Sequence, residues 1–307
     1  MELLQNLFII GEFSLIHKIV LTTAIVLFFT VLIFWVTLIL NCIIGNAAID
    51  NLDKKRDRFE DTIVKITDIK DIPNISKKDI PIFTGVLIKY KELIQEQDLV
   101  RQMFTKSNVL DYYHHMTKSM SWKSRVRAVR VLGEIGYSDF FYWIKPLVHD
   151  RSVFVRDEAL LALSKLASHA ADKYVMDHIN FNYDGNIRWI DLILQNIARK
   201  ESLIFLSYLP TSNLSLKHKM LDTIRYMHLF EYLPRIMELF GQPDNDEETQ
   251  IKCIFIMTLF PAAETKKFLM DKLNSSVLSS AELRNFIAMA LYKIDIKLNQ
   301  PQVGSGA

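Results

Sequence analysis

The stretch Ser152–Leu166, SVFVRDEALLALSKL, decides how the rest of the chain is read. Ser152 is an N-cap residue, and the residues after it put Val155, Ala159, Ala162, Leu163 and Leu166 on one stripe at helical spacing. Small residues in the middle of the stripe let a neighbouring helix approach closely, which suits a helix clamped between others. The same register recurs. The position of Val155 corresponds to Ser124 before it and to Ile187, Leu216, Thr249 and Leu283 after it, at intervals of 31, 32, 29, 33 and 34 residues. Each interval is about the length of one helical hairpin, so six units are counted.

The pattern V-R-x-x-A-x-x-A-L-x-x-L, read at Val155, Arg156, Ala159, Ala162, Leu163 and Leu166, resembles the inner helix of HEAT-type repeats. The preceding unit, with Arg125, Ala128, Val131, Leu132, Gly133 and Ile135, is similar to the short bacterial HEAT repeats also found in phycobilin-lyase-like proteins. The resemblance covers residues 122 to 167 and weakens beyond them. It implies an all-α, HEAT-like α-solenoid of helical hairpins, whose units are too small to bury their faces alone and so stack into a continuous core. It also implies a structural arginine ladder at the second position of each unit, pairing with loop aspartates such as Asp150, Asp157 and Asp184. That position reads Arg125, Arg156, Arg188, Lys217, Gln250 and Arg284, so the ladder is interrupted in the fifth unit, and Asp191 replaces the small residue in the third. A phosphate-gripping role for the same arginines is the alternative.

Composition agrees with helices. Half of the 307 residues are apolar and glycine and proline are few. The net charge of +2 and an acidic run at Asp244–Glu248 leave no nucleic-acid footprint, and no nucleic-acid partner is expected. Two cysteines, Cys42 and Cys253, have neither disulfide nor metal spacing and fit a reducing compartment.

Residues 19–44, IVLTTAIVLFFTVLIFWVTLILNCII, form an uncharged apolar run of 26 residues. Such a run exceeds the roughly 20 residues that span a bilayer as a helix. A buried globular helix would need a polar face, which a few threonines and Asn41 do not make. A cleaved signal peptide would need a shorter apolar core and a basic leader, although Gly45-Asn46-Ala47 has the small residues of a cleavage site. A single transmembrane helix is therefore expected before the repeats. Lys54, Lys55, Arg56 and Arg58 follow the run, whereas a nearly uncharged leader precedes it, so the N-terminus is expected outside and the repeats in the cytoplasm, as in a bacterial inner membrane.

In chain order, the expected segments are a short amphipathic leader over 1–18, the transmembrane helix over 19–44, and a juxtamembrane helical stalk over 45–75, with Ile49, Leu52, Phe59, Ile63, Ile66 and Ile69 on one stripe. An N-terminal helical cap follows over 76–121, opened by a capping box from Ser76 to Asp79 with Pro81 in the first turn. Its stripe is Phe83, Val86, Leu87, Tyr90, Leu93 and Ile94, and a shorter helix starts near Asn108. The repeats occupy 122–298, and 299–307 is a polar tail whose final Gly-Ser-Gly-Ala reads as an appended scar.

No nucleophile elbow, phosphate loop or zincin spacing is present, so no enzyme activity, cofactor or metal is expected; the adjacent pair His114-His115 does not share a helix face. Met220, Met227, Met237, Met257, Met270 and Met289 are expected to fill core gaps. Phe140, Phe141, Tyr142 and Trp143 are four consecutive aromatics that cannot all face one core, so part of this run either packs against the cap or stalk or belongs to a partner surface. The expected function is a membrane-anchored cytoplasmic scaffold that positions a partner protein, itself a membrane protein. Analogy with bacterial HEAT proteins suggests a polysaccharide synthase or transporter complex. The alternative is a ligand-binding or catalytic HEAT-like solenoid, phycobilin-lyase-like or nucleic-acid-modifying.

Overall fold

A computed structural model describes residues 2–66, 72–94, 96–183, 185–242, 245–275 and 280–299, and among them every regular element is helical. The chain divides into two compact units, residues 1–109 and 110–307.

In the first unit, α1 (Glu2–Lys65) is one unbroken helix of 64 residues, so leader, apolar run and most of the stalk share a single rod. From Val26 it is long and apolar enough to cross a membrane by length and composition, with mean hydropathy 2.6 over its most apolar window, none of that window buried. Thr30 and Thr37 donate their hydroxyls back to the carbonyls of Leu27 and Ile33, 2.8 Å each, which masks the polar atoms on an otherwise apolar surface. The stalk stripe is buried only at its far end. Ile49 and Leu52 are exposed, Ile63 and Ile66 are buried, and Ile69 lies outside the described residues.

That buried end packs on α2 (Ile80–Tyr90) through the edge-to-face pair Phe59–Phe83, centroids 5.5 Å apart. Polar clamps flank it: Lys55 to Asp79 at 2.6 Å, Lys89 to Glu60 at 3.0 Å, and the Tyr90 hydroxyl donating to Glu60 at 2.9 Å. The expected capping box does not form. Asp79 is the N-cap residue, but its carboxylate accepts from Lys55 and from the Ser76 hydroxyl and so never reaches a backbone N–H. The helix ends at Tyr90, which leaves Leu93 exposed and off the core stripe, and an additional helix, α3 (Gln97–Lys106), follows.

The second unit starts with α4 (Val109–Thr117) and continues as paired helices. One row consists of α5 (Trp122–Ile135), α7 (Val153–Lys165), α9 (Ile190–Lys200), α11 (Leu214–Met227), α13 (Glu247–Leu259) and α15 (Ala281–Asn299), each packed on the next. The returning helices are α6 (Phe141–Ile144), α8 (His169–Asn182), α10 (Ser202–Ser207), α12 (Leu233–Phe240) and α14 (Ala263–Asn274). The sixth repeat has only α15 among the described residues.

The stripe on α7 is buried throughout, from Val155 to Leu166. Ala162 does what a small residue in that place permits: the backbone of Gly133 on α5 lies directly against it. The anchors Leu216, Thr249 and Leu283 are buried as well, whereas Ser124 and Ile187 are half-buried. Ile187 precedes its helix, because the chain passes Gly185 at φ +98° and a turn at Arg188–Trp189 before α9 begins. Gly136, at φ +82°, ends α5 with a left-handed cap whose N–H donates to the Leu132 carbonyl. Met220 and Met257 are core, but Met270 and Met289 are exposed, since the later stripes run along Leu269 and along Leu283, Ile287, Ala290 and Ile294.

Side chains tie neighbouring repeats at one-repeat separations. Arg130–Glu158 and Lys219–Asp191 are 28 residues apart, Lys252–Asp222 30, Asn196–Ser164 32, and the Tyr232 hydroxyl to the Ala198 carbonyl 34.

Candidate functional site

The aromatic run sits where the backbone changes its winding. Ser138–Phe140 and Lys145–His149 are 3-10 turns on either side of the single α-turn of α6. The four rings therefore separate. Phe140 is buried, and Trp143 is half-buried, stacked between Phe140 at 5.0 Å and the His114 ring at 4.3 Å. Burial, helped by the charge of Lys118, holds the His114 pKa below its ordinary value, which favours the uncharged form of the stacked ring. Phe141 is half-buried, edge-on to Tyr174 at 5.9 Å, with the Lys145 ammonium over both rings at 5.4 and 4.8 Å. Tyr142 alone of the four points outward, 77% exposed.

Tyr142 does not stand by itself. Tyr174, His178 and Phe181 are spaced i, i+4, i+7 on α8, and Phe181 is 83% exposed. The Tyr174 hydroxyl is 3.3 Å from His149 Nε2, and the His149 and His178 rings meet edge to face at 5.7 Å. A groove of about 350 Å³ opens beside them, lined among others by His149, Arg156, Asp157, His178 and Asn182. Burial lowers the pKa of His178, with His149 adding to the shift, and burial raises that of Asp157 against the pull of Arg156 and Arg188. The surface thus combines exposed aromatics, a cation held over rings and a polar groove. The sequence reading found its α6 half through four adjacent aromatics. It missed the α8 half because Tyr174, His178 and Phe181 are dispersed, although their helical spacing was there to be read.

The arginine positions diverge. Arg125 is buried and bidentate to Asp150, at 2.7 and 2.8 Å, and also donates to the carbonyls of Ser119 and Met120. Arg156 donates to the Asp150 carbonyl at 2.9 Å, so two successive units meet at one aspartate. Lys217 reaches Asn245 at 2.9 Å in the fourth unit. Arg188 instead lies exposed over the Trp189 ring, 4.5 Å from its centroid, and Arg284 is exposed on α15. Asp184 lies outside the described residues. Among the described residues, these cations are not gathered at one place.

His218, Asp246 and Glu248, one repeat apart, are a group of metal-ligating type that the sequence reading passed over, with donor atoms within 4.8 Å of one another. Asp246 faces Nε2 at 3.2 Å while Glu248 faces Nδ1 at 3.3 Å, so the carboxylates flank the ring from two sides instead of converging on one point. The Thr249 hydroxyl, 3.0 Å from Nε2, completes a network that joins α11 to α13. Cys253 is buried, which pushes its thiol up to about 12, and Cys42 is exposed on α1.

Residues 113–190 match the family model of HEAT repeats, a span from within α4 to the start of α9. No curated protein matches the chain. Among solved structures, the crystal structure of an engineered protein is similar at 14% identity, over 77% of this chain and 77% of that chain, with a TM-score of 0.30. A designed armadillo repeat protein is similar at 12% identity, over 74% of this chain and 98% of that chain, with a TM-score of 0.23.

Proposed function

We propose that this chain is a single-pass membrane anchor that presents a cytoplasmic HEAT-like stack as a scaffold, holding and positioning a partner protein of the membrane. The role is non-catalytic. The observation that carries it is the outward face of α6 and α8, where Tyr142 and Phe181 stand exposed beside the Phe141–Lys145–Tyr174 cluster and the His149–His178 groove. Exposed aromatics set on a rigid helical frame suit a partner that buries them, because little conformational entropy is lost on contact. The anchor rests on α1: its 26-residue apolar run is about 39 Å long at 1.5 Å per residue, longer than a hydrocarbon core of about 30 Å. The basic cluster Lys54–Arg58 beyond that run favours the cytoplasmic side for the repeats, with a bacterial inner membrane as the setting.

The test is crosslinking of the full chain in native membranes, followed by identification of what co-purifies. Tyr142→Ala is expected to melt like the parent and to lose its partner. A partner retained by Tyr142→Ala, Phe181→Ala and the double variant would exclude this face. A reporter fused after Lys297 that works only in an external compartment would reverse the orientation.

A further inference from the structure

A second surface, on different helices, has another chemistry. Met120, in the turn before α5, is 86% exposed. At the N-terminal ends of α5 and α7, the Trp122 and Phe154 rings stack at 5.2 Å while remaining 42% and 53% exposed, and Val153 beside them is exposed too. Two cations touch this group, and two more lie beside it along the chain. Lys123 sits over the Trp122 ring at 5.8 Å, Arg151 reaches the Met120 carbonyl at 3.4 Å, Lys118 stands in the turn just after α4, and Arg127 follows Lys123 on the same face of α5. Unlike Arg125 and Arg130, whose charges are met by Asp150 and Glu158, none of these four is paired with a carboxylate among the described residues. From Tyr112 to Gly133 the sequence contains no acidic residue at all.

We propose that this edge docks on an anionic lipid surface, with Trp122, Phe154, Val153 and Met120 entering the interfacial layer and Lys118, Lys123, Arg127 and Arg151 meeting headgroup phosphates and carboxylates. A tryptophan ringed by lysine and arginine is the residue set that settles at a bilayer interface. Unpaired cations around it are attracted to an anionic leaflet, and the attraction adds for each charge brought within a Debye length. The occupant is set by that charge complementarity, and on the reading of α1 as an anchor a leaflet is tethered to the same chain. The docking goes beyond that reading, because it concerns the second unit and is measurable whether or not α1 spans.

The test uses the full chain with Cys42→Ser and Phe154→Cys, labelled with an environment-sensitive dye; Cys253 is buried and stays unlabelled. The protein is reconstituted in vesicles of phosphatidylcholine alone, or with one third phosphatidylserine. The expected result is a blue-shifted dye, quenched by nitroxide lipid in the anionic vesicles and close to its aqueous emission in the neutral ones. Lys123→Glu with Arg127→Glu is expected to weaken this on the order of fivefold per cation removed, with an unchanged melt. Water-like emission in both vesicles overturns the proposal, as does quenching that ignores charge reversal or a dye that is shielded only after a partner protein is added. A carbonate wash reports separately on α1: a chain that washes off refutes the anchor, and its flotation with added anionic vesicles, lost on charge reversal, still decides the docking.

Discussion

Gly133 and Ala162 meet where α5 crosses α7, so closely that a Cβ on the glycine would lie 2.7 Å from the alanine Cβ and 2.8 Å from its Cα. Backbone, not a movable side-chain tip, stands on the far side, so a larger residue must push the two helices apart. Gly133→Val is expected to cost about 1–3 kcal/mol by overpacking, read as a lower thermal midpoint. An unchanged melt would mean that the two helices slide freely.

Arg125 and Asp150 form a buried bidentate pair. Burial pushes the Asp150 carboxyl up, but the Arg125 guanidinium and the Ser152 N–H outweigh it, and the net pKa is lowered from 3.8. A lowered pKa means stability that is present above the unfolded value and lost as pH falls through the folded one. Denaturant titrations are therefore expected to show acid destabilisation starting near pH 4, which Asp150→Asn flattens. Arg125→Gln is expected to cost about 3 kcal/mol near neutrality, because it leaves a carboxylate buried without its partner.

Asp172 has the opposite sign. Burial raises its pKa from 3.8 to about 6 despite the Lys200 ammonium at 2.8 Å, and its second carboxylate oxygen has no hydrogen-bond partner. Its contribution is full below the unfolded value and is lost as pH rises through the folded one. Between pH 4 and 7 the parent should lose stability from this group, by at most roughly 3 kcal/mol. Asp172→Asn should remove that slope; if the slope persists, another group carries it.

Phe140 and Tyr142 are two residues apart and have opposite roles. Phe140→Ala is expected to lower stability by about 3–5 kcal/mol, as a buried ring leaves a cavity, while Tyr142→Ala is expected to change it by less than about 0.5. Equal losses in a melting comparison would place both rings in the core.

Local sequence determined the helical repeat and the buried stripe of its clearest unit, but not every helix or every buried face: α3 was not foreseen, and Leu93, Met270 and Met289 are exposed. In α7 the apolar period alone placed Val155, Ala159, Ala162, Leu163 and Leu166 inside, and all five are buried. That legibility follows from helix geometry, because a 3.6-residue period fixes the relative direction of side chains within one element. The recurrence near 30 residues likewise identified the hairpin as the unit. What depends on neighbouring elements was not legible. Two 3-10 turns, not the aromatic run itself, turn Tyr142 outward and Phe140 inward. The same arginine position is a buried clamp at Arg125 and an exposed ring contact at Arg188, because a loop carboxylate reaches the first while a turn carries the second away from its helix. Pairing of Phe141 with Tyr174 on α8, and of Trp122 with Phe154, was set only when hairpins stacked. Contacts between elements depend on crossing distance and rotation, which no period within a single helix encodes.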